Sequence, residues 1–260
     1  MNLDGRISLV TGAAGNLGKV ICNTLAELGA NIVINDLPNK NLDSIKSQIE
    51  NDWGVKVYII EADLGSTQSR KNLVDSFSNE FTNLDILINN AAFVGTSNLE
   101  GWSTRFLDQS SEIWEKVLEV NLVSAFHLAQ EFTPYLNKSN SASIINIASI
   151  YGEFGPDWKL YDELNMGNPA AYSVSKAGLI QLTKWLATTL APNIRVNSIS
   201  PGGILREQPK KFIDRYSNKT PLQRMCNEDD LCGAIGFLST NLSQYVTGQN
   251  LYVDGGWSIW

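Results

Sequence analysis

The sequence predicts an α/β fold: a doubly wound, mainly parallel sheet of seven strands with helices on both faces. Three observations carry this. Short apolar runs alternate with longer amphipathic stretches. Several runs are apolar at successive positions, as strands buried on both faces should be. A glycine-rich turn follows the first run and opens the first amphipathic stretch. The 260 residues are 43% hydrophobic, enough to bury a substantial core. No repeat, low-complexity tract or linker divides them, so residues 1–260 are expected to form one domain.

The elements follow in order. Ile7 to Val10 is the first strand, and a helix near 16–28 comes directly after the glycine turn. Ile32 to Ile34 leads through Leu37-Pro38 into a helix near 39–52. Val55 to Ile60 and Leu84 to Ile88 are strands separated by a helix near 66–81. A long helical stretch over 110–137 precedes the strand Ile144 to Ile147, and another over 170–191 precedes Ile194 to Ile199. A helix near 227–239 and a final strand, Leu251 to Val253, close the series. Segments 151–168 and 203–222 fit this alternation badly and read as long irregular loops, which in a compact domain are usually functional.

Composition removes several function classes. Net charge is −7 and the pI is about 4.8, so nucleic acid and anionic membrane surfaces are poor partners. Cys22, Cys226 and Cys232 are scattered and odd in number, as expected of reduced thiols. With His127 as the single histidine, placed mid-helix, no metal site is expected. The N-terminus lacks a signal-peptide layout and no window is long and apolar enough to span a bilayer, so a cytoplasmic protein is expected.

Gly12, Gly15 and Gly18 lie between first strand and first helix, with Asn16 and Leu17 inside the turn. Glycines there let backbone approach a pyrophosphate, and the helix N-terminus supplies amides and a positive dipole. This is the dinucleotide end of a Rossmann-type domain. Asp36 ends the second strand, eighteen positions after Gly18. Its carboxylate can accept from a ribose 2′-hydroxyl and repels a 2′-phosphate. No Arg or Lys stands within the turn or beside Asp36, so NAD(H) is favoured over NADP(H). Asp63-Leu64 ends the third strand, where a side chain can face the adenine.

Tyr172 and Lys176 lie four apart on the predicted 170–191 helix and so share a face. An ammonium beside a phenol favours the phenolate. A phenol tuned this way can give or take a proton at a carbonyl or hydroxyl oxygen. Ser149, at the end of an apolar run, can hydrogen-bond the same oxygen.

The glycine turn, Asp63-Leu64, Asn89-Asn90-Ala91-Ala92, Asn121-Leu122, Ile147-Ala148-Ser149, Tyr172-x-x-x-Lys176 and Pro201-Gly202 occur in one order along the chain. In this the chain resembles the short-chain dehydrogenase/reductases over nearly its whole length. The resemblance implies Ser149, Tyr172 and Lys176 as a catalytic triad, with Asn121 as fourth member. Tyr172 would be the general acid/base. Lys176 would lower its pKa and hold the nicotinamide ribose, and Ser149 would orient the substrate oxygen. Asn121, in a helix kink, would hold a water leading from Lys176 to solvent. Asn90 and Ala91 would line the adenosine side of the cofactor, and Pro201-Gly202 the nicotinamide side. A homotetramer (or homodimer) is implied too, with contacts at the 110–137 and 170–191 helices and the Trp257–Trp260 end.

Three departures from that pattern stand out. Asn16 occupies a position usually held by glycine, and Asn tolerates positive φ best among the other residues. Ala92 ends the Asn-Asn-Ala motif in place of glycine. Gly203-Ile204-Leu205 follows Pro201-Gly202 where the family often has a cofactor-contacting Thr.

Ser149 and Tyr172 are 23 positions apart, farther than is usual in that family. The intervening insert, with Tyr151, Trp158 and Tyr161 among carboxylates and amides, suits a polyhydroxylated ligand through stacking and hydrogen bonds. A surface or oligomer-contact loop is the other reading. Arg206, Lys210, Lys211, Arg215 and Arg224 form a local basic excess that can attract an anionic substrate, with Arg206 nearest the motif. A solvated helix face is the alternative for most of them. Gly202-Gly203-Ile204, Gln208, Phe212, Tyr216, Thr220-Pro221-Leu222 and Asp254-Gly255-Gly256-Trp257 resemble a subgroup of flagellin-modification and surface-sugar oxidoreductases.

The expected activity is therefore NAD(H)-dependent interconversion of a secondary alcohol and a ketone on a small molecule, a sugar or sugar derivative in surface-glycan biosynthesis. A 3-oxoacyl-carrier-protein reductase and a steroid or xenobiotic carbonyl reductase are the rivals within the enzyme class. Asp36 and the net charge fit the first badly, and the polar insert fits the second badly. A non-catalytic NAD(H)-binding sensor or scaffold is the rival outside it, and such a protein needs no tuned phenol.

Overall fold

A computed structural model describes residues 1–95, 97 and 99–260. The strands are β1 Ile7–Thr11, β2 Asn31–Asp36, β3 Val57–Glu61, β4 Ile86–Asn89, β5 Ala142–Ile147, β6 Ile194–Pro201 and β7 Asn250–Val253. The helices are α1 Asn16–Glu27, α2 Leu42–Trp53, α3 Thr67–Glu80, α4 Ser111–Leu118, α5 Ser124–Leu136, α6 Ala170–Leu190, α7 Lys210–Lys219 and α8 Cys232–Ser239. One seven-stranded sheet results, in the order β3-β2-β1-β4-β5-β6-β7. Every adjacent pair is parallel.

Successive apolar residues of a strand face opposite layers, which explains the unbroken apolar runs. Val10, Ile32, Ile34, Ile88, Ile145 and Ile199 pack beneath α1, α2 and α8. Leu9, Val33, Leu87, Ile144 and Val196 pack against α3, α5 and α6 on the other face. Phe77 of α3 meets the ring of Phe132 of α5 edge-on at 5.0 Å. The strand order reverses between β1 and β4. Their carboxyl ends, Thr11 and Asn89, therefore border a crevice of the kind that binds ligands in open α/β sheets.

Two local features depart from the sequence reading. The 110–137 stretch is not one regular helix: Glu119–Val123 between α4 and α5 is a π-helical turn, with Asn121 at its centre. Within 203–222, expected to be irregular, α7 forms. Its two buried residues, Phe212 and Tyr216, sit one turn apart with half-buried Ile213 beside them, while the remainder is polar. Among the described residues no helix is long and apolar enough to cross a membrane.

Candidate active site

The glycine turn folds back on itself. Gly12 has φ +64°, and its carbonyl accepts from Gly15 N at 3.1 Å. A Cβ on Gly12 would lie 2.9 Å from Ala91 Cα, and one on Gly18 would lie 2.1 Å from Gly12 O. Both glycines are therefore required by close backbone approach. Gly15 caps α1 without any side-chain hydrogen bond, which leaves the first-turn amides of Asn16, Leu17 and Gly18 directed at the crevice. Asn16 is not a positive-φ residue, contrary to expectation. It is the first residue of α1, and the left-handed step of the turn is made by Gly12.

Asp36 closes the turn from β2. Its carboxylate accepts from Ala14 N at 2.8 Å and from Leu37 N at 2.8 Å. Asn90 is a strut as much as a wall: Nδ2 donates to Thr11 O at 2.9 Å and to Gly12 O at 3.1 Å. Thr11 Oγ1 accepts from the amides of Asn90 and Ala91 at 3.0 and 3.1 Å. The sequence reading missed Thr11, although its place at the strand end before Gly12 was a signal. Of Asp63-Leu64 only Asp63 is exposed. The Leu64 side chain belongs to the core, packed with α3 and α5.

Ser149 follows β5 and Tyr172 lies in the first turn of α6. Ser149 Oγ accepts from Tyr151 N at 3.2 Å. Burial pushes the Tyr172 phenol up, the neighbouring Ser149 hydroxyl opposes this, and the Tyr161 phenol adds to it. Lys176 is also buried, and desolvation pulls its ammonium down to about 8. Its Nζ donates to Ile147 O at 2.8 Å and lies 5.7 Å from the Tyr172 ring centre. The lysine ammonium therefore lies over the face of the phenol ring and is bonded to the β5 carbonyl. Each group buried alone disfavours its own charge, and together they can be charged as a pair.

Asn121 sits in a helix kink, as expected. Its Oδ1 accepts from Phe93 N at 2.7 Å, while Nδ2 donates to Phe93 O at 3.0 Å and Ser175 Oγ at 3.1 Å. The side chain is fully engaged in holding the π-helical turn, so only its backbone is left to order a water. Ser175 Oγ in turn donates to Tyr172 O at 2.7 Å.

The insert is neither a free flap nor a bare surface loop. It joins α7 and the chain end around Ile150, Leu160, Tyr161, Phe212, Tyr216 and Trp257. Asp157 pairs with Lys219 at 2.7 Å, and Glu163 pairs with Lys211. Arg215 Nη1 donates to Asp162 O at 2.7 Å. The Lys219 ammonium holds the Asp157 carboxyl below the usual carboxylate range. Tyr151 and Tyr161 share a hydrogen bond, 2.9 Å between their oxygens. Trp158 is 60% exposed and lies against Tyr161 at 5.8 Å.

Most of the basic side chains expected to attract an anionic substrate stand beside carboxylates. Arg206 Nη1 meets Glu228 Oε1 at 2.5 Å, and Lys210 pairs with Asp214 and Arg224 with Asp230. These three charges are met by structural pairs, of which Arg206–Glu228 spans the longest separation. Pro201-Gly202 does lie at the carboxyl end of β6. Tyr216, which the sequence reading treated only as pattern, braces it: its hydroxyl accepts from Gly203 N at 2.5 Å.

A family model described as enoyl-(acyl carrier protein) reductase matches residues 12–258. Post-translational flagellin modification protein A of Campylobacter coli is 31% identical over 99% of this chain and 100% of its own. A 3-oxoacyl-[acyl-carrier-protein] reductase of Thermotoga maritima is 32% identical over 98% of this chain and 99% of its own. Among solved structures, NAD+-bound xylitol dehydrogenase superposes with TM-score 0.86 at 30% identity, covering 98% of this chain and 100% of that one. A gluconate 5-dehydrogenase from Burkholderia cenocepacia, in complex with NADP and tartrate, superposes with TM-score 0.88 at 28% identity, covering 100% and 97%. These relatives include both NAD and NADP binders. Together with the sheet order and the glycine turn, they show that the chain belongs to the short-chain dehydrogenase/reductase family and is an oxidoreductase.

Proposed function

We propose that residues 1–260 form one catalytic domain that interconverts a secondary alcohol and a ketone with NAD(H). The observation that carries this is the grouping of Ser149, Tyr172 and Lys176 at the end of β5 and the start of α6. The bound dinucleotide supplies or accepts the hydride. Gly12, Gly18 and the α1 amides would hold its pyrophosphate, Asp36 the adenosine ribose and Asp63 the adenine edge. Lys176 would hold the nicotinamide ribose, and Pro201-Gly202 the nicotinamide. Tyr172 exchanges the proton with the substrate oxygen, Ser149 orients that oxygen, and Lys176 stabilises the phenolate.

Asp36 supports NAD(H). Its carboxylate is pinned at the turn by Ala14 N, where a 2′-phosphate would bring like charges together. Asp36→Arg is expected to change the NAD/NADP ratio of kcat/KM by about tenfold or more toward NADP. An unchanged ratio would remove Asp36 from cofactor choice.

The substrate class we infer is a sugar or sugar derivative of surface-glycan biosynthesis. The paired phenols of Tyr151 and Tyr161 can accept and donate to hydroxyls, and exposed Trp158 offers a stacking face. The flagellin-modification relative supports the same class. Because Arg206, Lys210, Lys211 and Arg224 are all paired with carboxylates, uncharged sugars are favoured over phosphorylated ones. NAD(H)-coupled assay of amino, deoxy and keto sugars, free, phosphorylated and nucleotide-linked, is expected to find turnover. Turnover confined to 3-oxoacyl thioesters would establish the rival reading, which the Thermotoga relative favours.

We place the enzyme in the cytoplasm on its three free thiols, and infer a homotetramer (or homodimer). Val123, Phe126, Val174 and Trp185 expose apolar surface on the turn, α5 and α6, and Ile259 and Trp260 do so at the chain end. Trp257 is not part of that surface. It is buried in its own chain and stacks on Tyr216 at 6.0 Å. Light scattering is expected to show an oligomer at micromolar concentration.

A further inference from the structure

Arg70 of α3 heads the fully buried side chains by volume and is only 2% exposed. A buried guanidinium is tolerated only when its donors are met, and here they are met by three separate parts of the chain. Nη1 donates to Leu64 O at 2.5 Å and Nη2 to Thr67 Oγ1 at 2.9 Å. Nη2 also meets Glu119 Oε1 at 2.6 Å. Nε donates to His127 Nδ1 at 3.3 Å. Leu64 adjoins Asp63 just beyond β3, Glu119 opens the π-helical turn, and His127 is in α5.

The two flanking parts also touch. A Cβ on Gly65 would lie 3.5 Å from Val120 Cγ2, so the loop beyond β3 rests on the turn. From the turn a second set of bonds continues to the catalytic helix. Asn121 Nδ2 donates to Ser175 Oγ at 3.1 Å, and Ser175 Oγ to Tyr172 O at 2.7 Å. Leu122 packs so closely on α6 that a Cβ on Gly178 would lie 2.7 Å from its Cδ2.

We propose that Arg70 is a positioning residue that ties the adenine wall of the dinucleotide site to the π-helical turn supporting Tyr172. One planar cation sets both, with Nη1 on Leu64 O and Nη2 shared by Thr67 Oγ1 and Glu119. Lysine cannot replace it fully, since a point charge makes one of these contacts well but not the set. The proposal rests on the oxidoreductase reading given above.

The test compares Arg70→Lys, Arg70→Met and Glu119→Gln for NADH dissociation constant, kcat per folded enzyme, and melting temperature. Glu119→Gln removes the charge at the turn only. It is expected to lower kcat by about two- to thirtyfold with NADH affinity unchanged. Arg70→Lys keeps a charge for Glu119 and loses the separate donor to Leu64 O, so NADH affinity falls more than kcat. Arg70→Met loses both. If that variant does not fold, the other two still decide. Lowered melting temperatures with wild-type kcat and NADH affinity in both would make Arg70 purely structural and overturn the proposal. Should the wild type bind NADH but turn over no carbonyl, the oxidoreductase reading fails. The adenine-wall half then stands or falls on the Arg70→Lys affinity alone.

Discussion

Lys176→Met is expected to lower turnover by about 10²- to 10⁴-fold, the range for a lost acid–base function. In the wild type, burial already pushes the Tyr172 phenol up, and the Ser149 hydroxyl opposes it; a nearby ammonium would also favour the phenolate. Without that charge the phenolate becomes harder still to form. In alcohol oxidation Tyr172 must accept a proton, so the rising limb of kcat/KM should move to higher pH in the variant. The fold should tolerate the change, because methionine fills the buried stem without a charge to desolvate. The linkage sign agrees. Folded Lys176 titrates near 8 and an unfolded lysine near 10.4. Between these values the unfolded chain holds more protons, so the wild type gains stability from Lys176 as pH rises through that window. The methionine variant should lack this gain. Steady-state pH profiles and melts at pH 7 and 10 check both points, and an unmoved limb would deny Lys176 its role.

Gly18→Ala is expected to weaken NADH binding by about tenfold or more and to lower the melting temperature. The added Cβ would lie 2.1 Å from Gly12 O and 2.8 Å from Ala13 Cα, both backbone atoms. The strand–turn–helix junction must open to admit it, at a cost of about 1–3 kcal/mol for overpacking. Opening moves the α1 amides away from the Gly12 arch that Asn90 and Asp36 brace. A fluorescence titration with NADH measures the effect, and wild-type affinity would show that the pyrophosphate is held elsewhere.

The alternation of strands and helices was legible because the central strands β1, β2, β4 and β5 are buried on both faces and read as largely apolar runs, while the edge strands β3 and β7 are only partly covered. Helix α7 was not legible, since Phe212 and Tyr216 are its two buried residues and their companions, Leu160, Tyr161 and Trp257, come from distant segments. Asp36 and the glycines could be read because their task is local to one strand–turn–helix unit. Charge partners could not. Arg206 and Lys211 look like free cations until the fold brings up Glu228 and Glu163. Arg70 looks like a surface residue of an amphipathic helix, and its burial depends on Glu119 and His127, about fifty positions onward. Asn16 misled for a similar reason. Helix α1 begins at that residue, so no left-handed conformation is asked of it.

Proton transfer by Tyr172 is the centre of this account, and Tyr172→Phe isolates it by removing one oxygen. NADH titration and NAD(H)-coupled turnover should be measured on the same preparation, with the substrate the sugar panel identifies. The account predicts NADH affinity close to wild type and turnover lower by about 10²- to 10⁴-fold. Wild-type turnover in a variant that binds NADH normally would contradict it.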